Sequence, residues 1–200
     1  MLMMVVILIV SDGKDINNLE SLLQTAKKKV EIKYLKQEDL YMKEIAINLL
    51  KERGVTLEDI GVLVMEIQKG YLPLTMEVIM TNMYKVLSKR EVQNAILTGI
   101  QLDKFAESNL IDEPLLSIIK RDDSLYGIDE ILAFSIINIY GSIGFTNFGY
   151  IDRLKPGIIG KINAHKNGQV NTFLDDLVAA IVAATASRIA HSFENLEGGN

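Results

Sequence analysis

The stretch Leu177-Val-Ala-Ala-Ile-Val-Ala-Ala-Thr-Ala-Ser187 is apolar or small at every position. A helix on a protein surface carries one apolar stripe, whereas a helix apolar all round is enclosed by others, and its alanines allow close approach. The segment therefore predicts a central helix over about residues 172–193, surrounded by further helices. The rest of the chain supplies them. Met42, Ile45, Ala46, Leu49 and Leu50 recur at helical spacing until Gly54 ends the run. Thr56-Leu-Glu-Asp59 resembles a capping box leading into Ile60–Gln68, and Thr75 opens a helix to Leu87. Ser88-Lys-Arg-Glu91 is expected to cap a helix through Ala106. Later helices are expected near 113–120, 128–140 and 154–165. The glycine-punctuated Tyr140–Gly149 segment between the last two reads as a turn.

The N-terminal end reads differently. Val5–Val10 is a continuous β-branched run, Asp15–Lys29 has helical spacing, and Val30-Glu-Ile-Lys-Tyr-Leu35 alternates as a half-buried strand does. The expectation is an all-α multi-helix bundle over 37–200 with a short βαβ-like arm over 1–36. Because two short strands are marginal alone, the arm is expected to pair between subunits, making a homo-oligomer.

Composition narrows the function. The 200 residues are 48% apolar and 24% charged, the balance of a globular domain with a sizeable core. A net charge of −5, with Lys27-Lys28-Lys29 as the best basic run, argues against nucleic-acid binding. The absence of cysteine excludes disulfides, thiolate metal sites and a cysteine nucleophile, and points to a reducing, cytoplasmic setting. Met1–Val10 lacks the positive flank and small-residue cleavage site of a signal peptide, and no segment reads as a firm membrane span.

Chemistry concentrates in the acids. Asp129-Glu130 and Asp175-Asp176 each stand at the mouth of an apolar helix, and Asp152 and Lys155 lie between them. One reading is structural: first-turn carboxylates gain about 0.3–1 kcal/mol from the helix dipole, and Thr172-Phe-Leu-Asp175 fits a capping box. The other is a site. Hard oxygen ligands suit magnesium, whose shell is commonly completed by waters and phosphate oxygens, and a lysine can neutralise phosphate. Glu66 is a further candidate acid, and Asn147 a polar contact within the glycine-rich segment. Gly157-Ile-Ile-Gly160-Lys161 lacks both the full spacing of a phosphate loop and a preceding strand. Of the two histidines, His165 is the one considered as a proton donor.

Three segments taken together resemble a known family. Gly127-Ile-Asp129-Glu130-Ile-Leu-Ala-Phe, Phe148-Gly-Tyr-Ile-Asp152-Arg-Leu-Lys155-Pro156, and Gly168 followed by Asp175-Asp176-Leu-Val-Ala-Ala resemble, in order and spacing, the motifs of phosphatidylglycerophosphatase A. The resemblance covers about residues 38–192 and is nearest to the family's soluble branch. It implies a magnesium-dependent phosphomonoesterase that converts phosphatidylglycerophosphate to phosphatidylglycerol, with peripheral contact at the inner membrane face. By motif, Asp129, Glu130, Asp152, Asp175 and Asp176 would be catalytic, and Asp129, Glu130, Asp175 and Asp176 would hold metal; Glu66, in a segment that departs from the family pattern, is a further candidate ligand. Lys155 and Asn147 would contact phosphate. Two alternatives remain open, a phosphatase of a soluble ester and a non-catalytic assembly module. A lipid-active enzyme should also expose an apolar or basic patch beside its acids, for which Tyr71, Leu72 and Phe148 are the candidates.

Overall fold

The computed structural model describes residues 16–71, 74–164 and 168–197. Their regular structure is helical throughout, with no strand among the described residues. In chain order the helices are α1 (Ile16–Glu52), α2 (Leu57–Ile67), α3 (Met76–Leu87), α4 (Arg90–Glu107), α5 (Leu115–Arg121), α6 (Ile128–Ile137), α7 (Gly141–Leu154), α8 (Gly157–Asn163) and α9 (Leu174–Glu197). A 3₁₀ turn, Asn138–Tyr140, joins α6 to α7.

The chain divides into two units between Tyr41 and Met42. In the first, Val30–Leu35 is helical, part of α1, and not the strand its alternation suggests. The physical reason is the lack, among the described residues, of a partner strand. Val30, Ile32, Tyr34 and Leu35 are all exposed, so the alternation has no covered face to serve, and a helix satisfies its own backbone groups where a lone strand cannot. The pairing between subunits expected of this segment therefore has no strand to make it. The expected Val5–Val10 strand lies outside the described residues.

The second unit is the bundle, and α9 is its axis. Every residue from Leu174 to Ser187 is buried. Helices α2, α3, α4, α6, α7 and α8 all pack on it, as an all-apolar segment requires. Close approach is visible at Gly99 of α4. A Cβ there would meet Leu177 Cδ1 at 2.6 Å, Phe173 Cβ at 3.0 Å and Leu132 Cδ2 at 3.2 Å, so α4 sits against α9 and α6 only because this side chain is absent.

Local signals explain several helix starts. The Thr56 hydroxyl accepts the Asp59 N–H at 3.1 Å while Asp59 Oδ2 accepts the Thr56 N–H at 3.0 Å, completing the capping box of α2. Thr75 Oγ1 accepts the Val78 N–H at 3.3 Å and caps α3. Ser88 behaves otherwise: its hydroxyl donates to the Tyr84 carbonyl at 2.7 Å, closing α3, and α4 starts after Lys89 with no side-chain cap. The Tyr140–Gly149 segment is not a turn but most of α7, its glycines being tolerated because α9 encloses one face and supplies the packing that propensity does not. The helix expected at 154–165 is the shorter α8. The helical run Ile128–Leu154 has the length and hydropathy (1.4) to cross a membrane, yet it is interrupted at Asn138–Tyr140 and buries Ala133, Ile136, Ile137, Phe148 and Ile151 in the core.

Gly99→Val is expected to destabilise the protein by about 1–3 kcal/mol through overpacking. Gly99→Ala should cost less, because better helix propensity offsets part of the clash. Equilibrium urea unfolding of the two variants checks the order.

Candidate active site

Five helix ends converge on one pocket of about 230 Å³. The end of α5 brings Asp122, Asp123 and Ser124; the start of α6, Asp129 and Glu130; the last turn and cap of α7, Asp152 and Lys155. The end of α8 adds Asn163, and the entry to α9 adds Thr172, Asp175 and Asp176. Asp122 and Lys155 both adopt left-handed conformations, with φ of 51° and 43°, which lets each chain leave its helix at the pocket edge.

The acids divide into two groups. One carboxylate oxygen from each of Asp129, Glu130 and Asp176 lies within 4.8 Å of the others, a set of hard ligands whose span fits one divalent cation. Asp175 is committed elsewhere: its Oδ2 accepts from Lys155 Nζ at 2.7 Å and its Oδ1 accepts the Asp176 N–H at 3.0 Å. Lys155 also reaches Asp152 Oδ1 at 3.1 Å and Asp176 Oδ1 at 3.8 Å. Asp152 belongs to the last turn of α7, not to a loop, and its side chain keeps 32% of its surface exposed.

Electrostatics follow from burial and crowding. Burial, then the neighbouring Asp175 and Asp152, push Asp176 up to about 9. Burial and the adjacent Asp129 push Glu130 up to about 7. Burial raises Asp175 to about 6 against the opposing pull of Lys155. For Lys155 burial favours the neutral amine, but Asp175, Asp152 and Asp176 outweigh it, so the ammonium is held above its ordinary range. Carboxylates packed this closely repel one another when ionised, and a cation among them relieves that repulsion.

Glu66 and Asn147 are placed elsewhere. They line a separate cavity of about 710 Å³ with Tyr71, Tyr150 and Phe193, and neither lines the acid pocket. Phe148 is buried at 4% exposure, because α7 turns that face to the core, so it cannot form the expected apolar surface patch. Tyr71 is exposed but belongs to the larger cavity, and Leu72 and His165 lie outside the described residues.

The reading of Asp175 as a helix cap fails. Thr172 Oγ1 donates to the Ile119 carbonyl at 2.6 Å rather than receiving a first-turn N–H. The first N–H groups of α9 go to Asp103, a fully buried residue of α4: Oδ1 accepts from Phe173 at 3.2 Å and Oδ2 from Leu174 at 3.1 Å. With its cap supplied from another helix, α9 keeps both of its first-turn acids for the pocket. The approach is pinned as well. Arg53 Nη2 donates to Glu107 Oε1 at 2.6 Å, the Val170 carbonyl at 2.7 Å and Asn171 Oδ1 at 2.6 Å, and Glu107 Oε1 accepts the Val170 N–H at 2.8 Å. The Tyr126 ring stands edge-on to Phe173 at 5.9 Å, tying the loop before α6 to the same point.

Sequence reasoning passed over Asp103, Asp122, Asn163 and Thr172 as pocket or supporting residues. Asp103 did carry a signal: it falls on the apolar stripe Val92, Ile96, Ile100, Asp103, Ala106, where a charge is out of place. Asp122-Asp123 is a further acidic pair, just after a short helix.

Burial pushes Asp103 up to about 8, against the pull of the two N–H groups and Arg53. With its native pKa above the unfolded value, its contribution to stability is full below the ordinary carboxylate range and is lost as pH rises through about 8. Asp103→Ala is expected to cost about 1–3 kcal/mol for each N–H left unpaired. In EDTA it should also flatten the fall in stability between about pH 6 and about pH 9. Urea titrations at both pH values test it; equal slopes for wild type and variant would contradict the assignment.

Comparisons with known proteins agree on one group. The family profile of phosphatidylglycerophosphatase A matches residues 55–191. YutG of Bacillus subtilis is 56% identical over 149 residues, 74% of this chain and 90% of its own. A solved structure from Bacillus stearothermophilus is 61% identical with a TM-score of 0.73, covering 75% of this chain and 94% of that one. The low temperature requirement C protein of Listeria monocytogenes is 55% identical with a TM-score of 0.74, covering 76% and 97%.

Proposed function

Since this chain belongs to the phosphatidylglycerophosphatase A family, we propose that it is a magnesium-dependent phosphomonoesterase that removes the terminal phosphate of phosphatidylglycerophosphate to leave phosphatidylglycerol. The observation that carries this is the pairing, in one pocket, of three carboxylate oxygens within 4.8 Å with a lysine 3.8 Å from one of those acids. An acid cluster alone is a cation site. A cation site with a fixed ammonium beside it is suited to a phosphate.

Asp129, Glu130 and Asp176 would hold the magnesium. The ion supplies charge neutralisation to the transferring phosphoryl group and favours ionisation of water. Lys155, oriented by Asp175 and Asp152, offers its positive charge to the phosphate oxygens. Asp152 stands outside the three-acid cluster and is partly exposed, so it is the carboxylate available to take a proton from an attacking water. An acidic residue as nucleophile, with a covalent phosphoryl-enzyme, uses the same constellation. A pocket of about 230 Å³ has room for a phosphate and its glycerol but not for acyl chains, which favours recognition of the head group alone. The same observation keeps a soluble phosphate ester as the second reading. A purely structural role for the acids is disfavoured because Asp103 already caps α9.

Phosphate release should require magnesium and stop in EDTA. Asp176→Asn should lower kcat/KM by about 10²–10³, the scale of losing one electrostatic stabiliser of a transition state. The assay compares detergent-dispersed phosphatidylglycerophosphate with a panel of soluble esters; turnover confined to the soluble esters would move the substrate, and silence across the panel would refute the phosphatase reading.

Magnesium should also stabilise the wild type, by about 2.7 kcal/mol at a hundredfold excess over its Kd. Asp176→Asn should lose most of that gain in a thermal melt, and an unchanged gain would remove Asp176 from the ligands.

A further inference from the structure

The geometry points to a second ligand site: we propose that the larger cavity, the one lined by Glu66 and Asn147, binds a small zwitterion with an aromatic body, the chemistry of a free aromatic amino acid. The proposal stands apart from the phosphatase reading, because this cavity and the acid pocket share no lining residue.

Size sets the first limit. The cavity lies between the end of α2, the body of α7 and the C-terminal part of α9, and its volume of about 710 Å³ is within the range of about 300–1,000 Å³ that holds small molecules. Three rings line it, those of Tyr71, Tyr150 and Phe193. Tyr71 and Tyr150 are 82% and 59% exposed, and among the described residues none of the three packs on another ring. A planar group entering the cavity would meet aromatic surface that no other ring has taken.

The polar groups define the other end of the ligand. Asn147 Nδ2 is buried without a hydrogen-bond partner, a cost that native folds seldom carry without a use. A carboxamide holds a donor and an acceptor side by side, and turning it about Cβ–Cγ exchanges which of them faces the cavity. Its complement is a ligand that presents an acceptor and a donor together, as an α-carboxylate beside an α-ammonium does.

Charge agrees. Glu66 and Lys69 bring one negative and one positive group to the cavity, and among the described residues neither is held in an ion pair. A phosphate ester or a simple cation would suit one of them and oppose the other. A zwitterion suits both, and its aromatic body has the rings to rest on.

The test is isothermal titration calorimetry of the full chain with L-phenylalanine, in EDTA and without phosphate ester. Saturable binding with a Kd of about 1 mM or below is expected. N-acetyl-L-phenylalanine, which lacks the cation, L-phenylalaninamide, which lacks the anion, and glycine, which lacks the ring, should each bind at least about tenfold more weakly. Glu66→Gln and Lys69→Gln, at exposed positions that do not threaten folding, and Asn147→Leu should each weaken L-phenylalanine by about tenfold. Asn147→Leu carries a second readout. It removes an unmet polar group while keeping the volume, so it should melt no lower than the wild type. A marked fall in Tm would show the amide serving the fold and would overturn the proposal. Asp176→Asn should bind as the wild type, and loss of binding there would move the ligand to the acid pocket and overturn it too. No saturable binding up to about 10 mM L-phenylalanine, or equal binding of adenosine, a ring compound without charge, would likewise overturn it. So would a concentration-dependent dimer that Tyr150→Ser dissociates while no amino acid binds, which would give the cavity to a second copy.

Discussion

The two hydrogen bonds from the Phe173 and Leu174 backbones to the buried carboxylate of Asp103 hold together the requirements of this structure. A helix enclosed on all sides gains its stability from apolar contact, but its first N–H groups are then buried too, and each one left unpaired costs roughly 1–3 kcal/mol. The usual remedy is a Ser, Thr or Asp in the helix's own first turn. Here a carboxylate from α4 does it instead, so Asp175 and Asp176 can turn into a pocket while the helix that bears them stays at the centre of the core.

The same entry to α9 is fixed by further side-chain contacts. The segment entering α9 is held through Arg53 and Glu107, Thr172 is tied to the end of α5, and Phe173 is packed against Tyr126. The end of α5 and the loop before α6 are thereby tied to the entry of α9. The acids are left as the groups whose preferred state the fold does not satisfy: Asp176 is raised by burial and by Asp175 and Asp152, Glu130 by burial and by Asp129, and one lysine is shared among Asp152, Asp175 and Asp176. A cation among them would relieve their mutual repulsion, and the first N–H groups of α9 are already capped by Asp103.

Two cavities with different character share α7. The smaller holds the charged groups, and the larger, with Ile67, Tyr71, Ile143, Tyr150 and Phe193, takes Glu66 and Asn147 away from them. Glu66, near the end of α2, reads into the acid site only as a further acid, whereas reading Asn147 there assumes that its glycine-rich segment makes a turn beside a phosphate. A helix cannot: residues on different faces of α7 look into different spaces, and the chain from Asn147 to Asp152 carries them apart.

The central helix, the caps at Thr56 and Thr75, and the acid pairs 129–130 and 175–176 at their helix starts were legible from residue type and spacing, because an all-apolar period and a first-turn acid are local facts, whereas Asp152 closes α7 and stood out only as a carboxylate near Lys155. The helical state of Val30–Leu35 and of Gly141–Leu154 was not, since alternation and glycine content describe what a segment tolerates while the available partner decides what it becomes. Nor could the sequence alone distinguish Asp175 as a cap from Asp175 as a site residue. That turned on Asp103, 72 positions away in the chain and within hydrogen-bonding reach of α9, a proximity that only the packing of α4 on α9 through Gly99 creates.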